Sequence, residues 1–119
     1  MSRANVMIVD DDRDLAESLA ELLEMSGCSV TTAANGKEAV ANHGKQDFDV
    51  TFMDVRMPIM NGVDSFFEIR RLKPDAKIVM MTGFKEAIVT RALEAGAVGL
   101  LNKPFDIEAM LAIVNKAAA

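Results

Sequence analysis

Apolar residues along this 119-residue chain follow two alternating rhythms. Val6-Met7-Ile8-Val9 is a short unbroken apolar block, too short for a helix and rich in β-branched side chains, and it predicts a strand covered on both faces. After Asp10-Asp11-Asp12, residues Leu15, Leu19, Leu22 and Leu23 recur at the spacing of one helix face. Gly27 suits the end of that helix, because glycine takes the left-handed C′ conformation without steric cost. The cycle then repeats. A weak strand is expected over Cys28 to Ala33, an Asn35-Gly36 turn, and a short helix over Lys37 to His43. Val50 to Met53 is a second strong strand, broken at Met57-Pro58. A helix from Asn61 to Leu72 should bury Val63, Phe66, Phe67 and Ile69. Beyond the turn at Lys73-Pro74-Asp75 comes a third apolar strand, Lys77 to Met81. The next helix, Lys85 to Ala95, should turn Ile88, Val89, Ala92 and Leu93 inward and stop at Gly96. Val98 to Leu101 is the last strand, and Asp106 caps a final helix facing inward through Ile107, Met110, Leu111 and Val114.

Five strands alternating with five helices require crossover connections, hence parallel pairing. Right-handed crossovers with helices on both faces predict an α/β doubly wound sandwich, in which ligands gather at the carboxyl ends of the strands. The length suits a single domain over residues 1–119, able to bury roughly two-thirds of its unfolded surface without metal or disulfide. The single cysteine, Cys28, excludes an internal bridge and suits a reducing compartment. No apolar run approaches the roughly 20 residues of a membrane span, and the start lacks a signal peptide's apolar core. Thirteen basic against 18 acidic residues, net charge −5, argue against a broad basic face for nucleic acid. A cytoplasmic protein with no membrane partner is the expectation.

The predicted strand ends carry the candidate chemistry. The first ends in Asp10-Asp11-Asp12, the central one in Asp54, the fourth in Thr82, and Asn102-Lys103-Pro104-Phe105 follows the fifth. A phosphate cradle would carry glycines and bare amides in the first loop; this loop carries carboxylates, which repel an anion unless a cation intervenes. Oxygen donors without clustered His or Cys favour Mg2+ over zinc. An Asp run after a strand also serves as a helix cap, and Asp12 is read that way. Lys103 alone reads as a surface lysine and Thr82 alone as a strand-end threonine; their joint placement is what raises them. His43, on the second helix, is read as an ordinary surface residue.

Taken together, Val9-Asp10-Asp11-Asp12, the run Met53-Asp54-Val55-Arg56-Met57-Pro58 with Met60-Asn61-Gly62, Met80-Met81-Thr82-Gly83 and Lys103-Pro104-Phe105-Asp106 resemble the receiver domain of two-component response regulators across essentially the whole chain. The resemblance implies a flavodoxin-like (βα)5 sandwich with a parallel sheet in the order 2-1-3-4-5. It implies that Asp54 is the phosphoacceptor, charged by the phosphohistidine of a sensor histidine kinase or histidine phosphotransfer protein. By the same likeness Asp10, Asp11, Asp54 and the backbone carbonyl of Arg56 hold Mg2+, Thr82 and Lys103 contact the phosphoryl group, and the Lys103–Pro104 bond is cis. The product would be a signalling switch rather than an enzyme, read out on the face of the fourth helix, fifth strand and fifth helix, with a phosphorylation-dependent dimer through that face.

The chain departs from the family pattern at Leu100 and in a Thr82-to-Lys103 span about one residue short of some relatives. Leu100 stands where relatives carry Tyr or Phe, and there is no Tyr in the chain. Arg56 and Phe84 occupy positions that tune loss of the phosphoryl group, and their bulk should lengthen the signal. Ala109, Ala112 and Ile113 should form a mildly apolar patch near Leu100, either a docking site for a partner or a second copy or a small-residue surface of no consequence. Two other functions compete. An aspartyl-phosphate hydrolase of the haloacid-dehalogenase type needs a second Asp two residues after the nucleophile, where this chain has Arg56. A receiver-shaped interaction module that takes no phosphate would have little use for the whole set of Asp10, Asp11, Asp54, Thr82 and Lys103.

Overall fold

In the computed structural model, which describes residues 3–55, 57, 59–82, 87–102 and 106–118, five strands alternate with five helices. They are β1 (Asn5–Val9), α1 (Arg13–Met25), β2 (Ser29–Ala33), α2 (Gly36–Lys45), β3 (Val50–Asp54), α3 (Gly62–Leu72), β4 (Ile78–Thr82), α4 (Ala87–Glu94), β5 (Gly99–Asn102) and α5 (Ile107–Ala118). All four strand pairings are parallel, in the order β2-β1-β3-β4-β5. The doubly wound expectation holds, strand order included.

The strands read as unbroken apolar runs because both faces of the sheet are covered. Along β1, Val6 and Ile8 join a core layer with Leu19 and Leu23 of α1 and Met110 and Val114 of α5. Met7 and Val9 point the other way, into a layer with Ala39 of α2, Val63, Phe66 and Ile69 of α3, and Ala92 of α4. The helices start where the sequence supplies a cap. Asp12, Asn35, Asn61 and Asp106 each accept a hydrogen bond from a first-turn amide, at 2.9–3.1 Å.

Several inward assignments change. Leu22 and Leu93 are 43% and 38% exposed, and Phe67 is 37% exposed while its neighbour Phe66 is fully buried. Successive helical residues diverge by about 100°, so only one of two adjacent phenylalanines can face the sheet. Phe67 turns outward, and the Arg91 guanidinium lies 5.6 Å from its ring centroid. The predicted start of the fourth helix at Lys85 lies outside the described residues, as do the side chains of Ile88 and Val89.

His43 is the clearest correction: it is 2% exposed, not a surface residue. It falls on the stripe of α2 that also buries Gly36 and Ala39. Its Nε2 is 2.9 Å from the hydroxyl of Thr51, which is itself fully buried on β3, and its ring meets Phe48 edge-on at 5.0 Å. Removal from water, aided by the nearby Lys73 ammonium and opposed by Asp47, pushes the imidazole down to about 4. His43 is therefore a neutral core residue at neutral pH.

Candidate functional site

Parallel strands in register deliver their last residues to one rim. Val9 pairs with Met53, so Asp10 and Asp54 leave β1 and β3 side by side. Asp54 pairs with Met81, which brings Thr82 one step beyond it at the end of β4. The backbone of Thr82 pairs in turn with Asn102, the last residue of β5. Asp10, Asp54 and Thr82 are all nearly buried, at 1%, 6% and 3% exposure, whereas Asp11 is exposed.

One carboxylate oxygen from each of Asp10, Asp11 and Asp54 lies within 4.8 Å of the others. Three like charges at that separation repel one another in a partly dry setting. A divalent ion bound by oxygen converts that repulsion into attraction, and the donor set contains no nitrogen or sulfur that would favour zinc. The residues present thus fit a hard cation such as Mg2+. Asp12 does not belong to the cluster: its carboxylate caps α1 by accepting from the Leu15 amide at 3.1 Å. Its own amide donates to Asp10 Oδ1 at 3.0 Å, which helps orient that carboxylate.

Local backbone geometry supports the acceptor strand. The amide of Gly62, first residue of α3, donates to the Val55 carbonyl at 2.9 Å. A Cβ at Gly62 would fall 2.1 Å from the Asp54 carbonyl oxygen, so only glycine lets α3 start directly against the residue that carries the central carboxylate. Ile59, in the same connection, has φ 72° and is 74% exposed, an uncommon conformation for a β-branched side chain. Sequence reasoning assigned neither residue a role of its own. The Asn61-Gly62 pair at a helix start was the available signal for the first; nothing local signals the second. Beside Asp10 a cavity of about 160 Å3 opens between α1 and β2, walled by Arg13, Glu17, Thr32 and Glu38.

The structure therefore brings Asp10, Asp11, Asp54 and Thr82 to one rim, as the sequence predicts. Lys103, Arg56 and Phe84, with the Lys103–Pro104 bond, lie outside the described residues. Leu100 is half-buried and packs against the layer that holds Met80 and Ala92, whereas Ile113 packs against the opposite layer. Leu100 and Ile113 thus pack on different core layers, while on α5 Ala112 is exposed and Ala109 half-exposed.

Comparison with known proteins agrees with this geometry. The family model described as response regulator receiver domain matches residues 6–115. A response regulator receiver protein of Anaeromyxobacter sp. is 40% identical over 109 residues, covering 88% of this chain and 44% of that protein, so the chain spans less than half the length of that relative. The chemotaxis protein CheY of Thermotoga maritima is 35% identical over 113 residues, covering 93% of this chain and 94% of that protein. Among solved structures, the response regulator TrrA of Thermotoga maritima, in complex with Mg2+-BeF, superposes with a TM-score of 0.86 at 30% identity, covering 96% of this chain and 98% of that one. No helix among the described residues is long and apolar enough to cross a membrane.

Proposed function

Because the chain belongs to the response regulator receiver domain family of two-component systems, we propose that it is a phosphoacceptor switch, with residues 1–119 acting as one receiver and Asp54 as the residue that takes the phosphoryl group. The donor is the phosphohistidine of a sensor histidine kinase or a histidine phosphotransfer protein, in the cytoplasm. The observation that carries this reading is the convergence of the Asp10, Asp11 and Asp54 carboxylates within 4.8 Å at the rim that also receives Thr82.

An Asp54 carboxylate oxygen attacks phosphorus in line. The P–O bond forms as the P–N bond breaks, and the imidazole of the donor keeps the electron pair and takes up a proton. Asp10 and Asp11, with Asp54 and the Arg56 carbonyl, hold Mg2+, which when bound offsets negative charge on the transferring group. Burial of Asp54 excludes bulk water from the nucleophile and keeps the acyl phosphate from immediate hydrolysis. Thr82 donates its hydroxyl to a phosphoryl oxygen and Lys103 pairs with another. The new group is larger and carries more acceptors than the carboxylate it replaces, so Thr82 and the connection after it are drawn toward the site. The change is read by partners on α4, β5 and α5, including a second copy of the chain. Leu100 offers no hydroxyl to this movement, and Arg56 and Phe84 slow attack by water.

Incubation with Mg2+ and acetyl phosphate, followed by intact-mass spectrometry, tests the assignment. One phosphoryl group is expected on the native chain and none on Asp54→Asn. An unmodified native chain, or an equally modified variant, would defeat it.

A further inference from the structure

Arg70, half-buried near the end of α3, binds two other segments of the molecule and a ring on its own helix. Its Nε donates to the Ala76 carbonyl, just before β4, at 2.8 Å. Its Nη2 donates to the carbonyl of Gly96, just beyond α4. Its guanidinium carbon lies 5.2 Å from the ring centroid of Phe66, a fully buried side chain of the α3 core face. One planar fork thus ties α3 and the start of β4 to the end of α4, a geometry that lysine's single ammonium cannot reproduce.

The segment it holds is itself sharply defined. Gly96 has φ +106°, and its amide donates to Leu93 while that of Ala97 donates to Ala92, at 3.1 and 2.9 Å. These two bonds form a Schellman motif, which closes α4. An added Cβ at Gly96 would sit 3.2 Å from Arg70 Nη1, so the guanidinium packs directly on the turn. A cation at this end is also favoured by the helix dipole. At its other end, α4 follows Thr82 by only a short connection.

We propose that Arg70 is a positioning residue that makes the C-terminal end of α4 a pivot, so that displacement begun at Thr82 tilts the helix about Gly96 instead of sliding it along the sheet. The inference rests on the proposed phosphoacceptor role. The C-terminal turn is held by a charge-assisted bond and a glycine cap, while the opposite end is joined to the rim where the phosphoryl group arrives.

Amide chemical shifts and hydrogen exchange, recorded with and without Mg2+ and beryllofluoride, test the pivot in the native chain, Arg70→Lys and Arg70→Gln. In the native chain, shift changes are expected at residues 87–90 and little at 95–98. In both variants they should spread to 95–98, and exchange at Ala97 should quicken about tenfold even without the activator. Labelling of Asp54 by acetyl phosphate should stay unchanged, a readout that general destabilisation does not share with the redistribution of shifts. Changes that remain confined to 87–90 in the variants, or that are already equal at both ends of α4 in the native chain, overturn the pivot alone. A native chain that takes no phosphoryl group overturns the phosphoacceptor role, and the pivot falls with it.

Discussion

The two ends of the sheet gather charged and polar groups in different combinations. At the carboxyl rim, Asp10, Asp11 and Asp54 bring three groups of one sign within 4.8 Å. At the other end, polar groups meet their complements: His43 with Thr51 in the core, and Lys73 with Asp47 in an ion pair at the surface. A cavity of about 320 Å3 there is lined by His43, Phe48 and Lys73. Complementary pairing holds a fold together, whereas convergence of like charges works against it and persists where a ligand resolves the conflict.

The comparison breaks most visibly at His43. His43→Ala should lose about 3–5 kcal/mol, through the void and the stranded Thr51 hydroxyl, measured by urea unfolding. A loss below about 1 kcal/mol would show that the buried pair is dispensable.

Acid should reveal the same pair without mutation. The folded imidazole is held at about 4 against an ordinary 6.5, so the unfolded chain binds the extra proton first as pH falls. The stability that depends on neutral His43 is complete above pH 6.5 and is lost progressively down to about 4, to the extent of about 3 kcal/mol. Unfolding free energies of His43→Gln should lack that slope; an identical slope would assign it to other groups.

The rim should respond with the opposite sign. Asp54→Asn removes one of three repelling charges and should, in EDTA, raise stability by about 1 kcal/mol. Added Mg2+ should then stabilise the native chain more than the variant and narrow the gap. If Asp54→Asn destabilises in EDTA, the carboxylates are not in net conflict, and the contrast between the two ends disappears.

The acid set was legible because it rests on local order: each acid closes a short apolar block, and strand blocks can be recognised from a few neighbouring residues. The caps at Asp12, Asn35, Asn61 and Asp106 are local in the same sense, each bonding an amide two or three positions on. Element order and parallel pairing follow from these, since a strand followed by a crossover helix has few ways to return to the sheet.

What the chain could not reveal locally was the facing of particular side chains. Phe66 and Phe67 are alike as residues, and the packing of α3 against the sheet sends one inward and the other to Arg91. The burial of His43 depends on Thr51 across the layer, and the packing of Leu100 and Ile113 on different core layers depends on which face of β5 each neighbour covers. Gly62 matters because the Asp54 carbonyl passes close to it, and Arg70 because α4 ends beside α3. Periodicity and capping are set within a turn or two of chain and are carried by the sequence itself. Burial, pairing and close approach arise between segments far apart in it, and only their packing in three dimensions decides them.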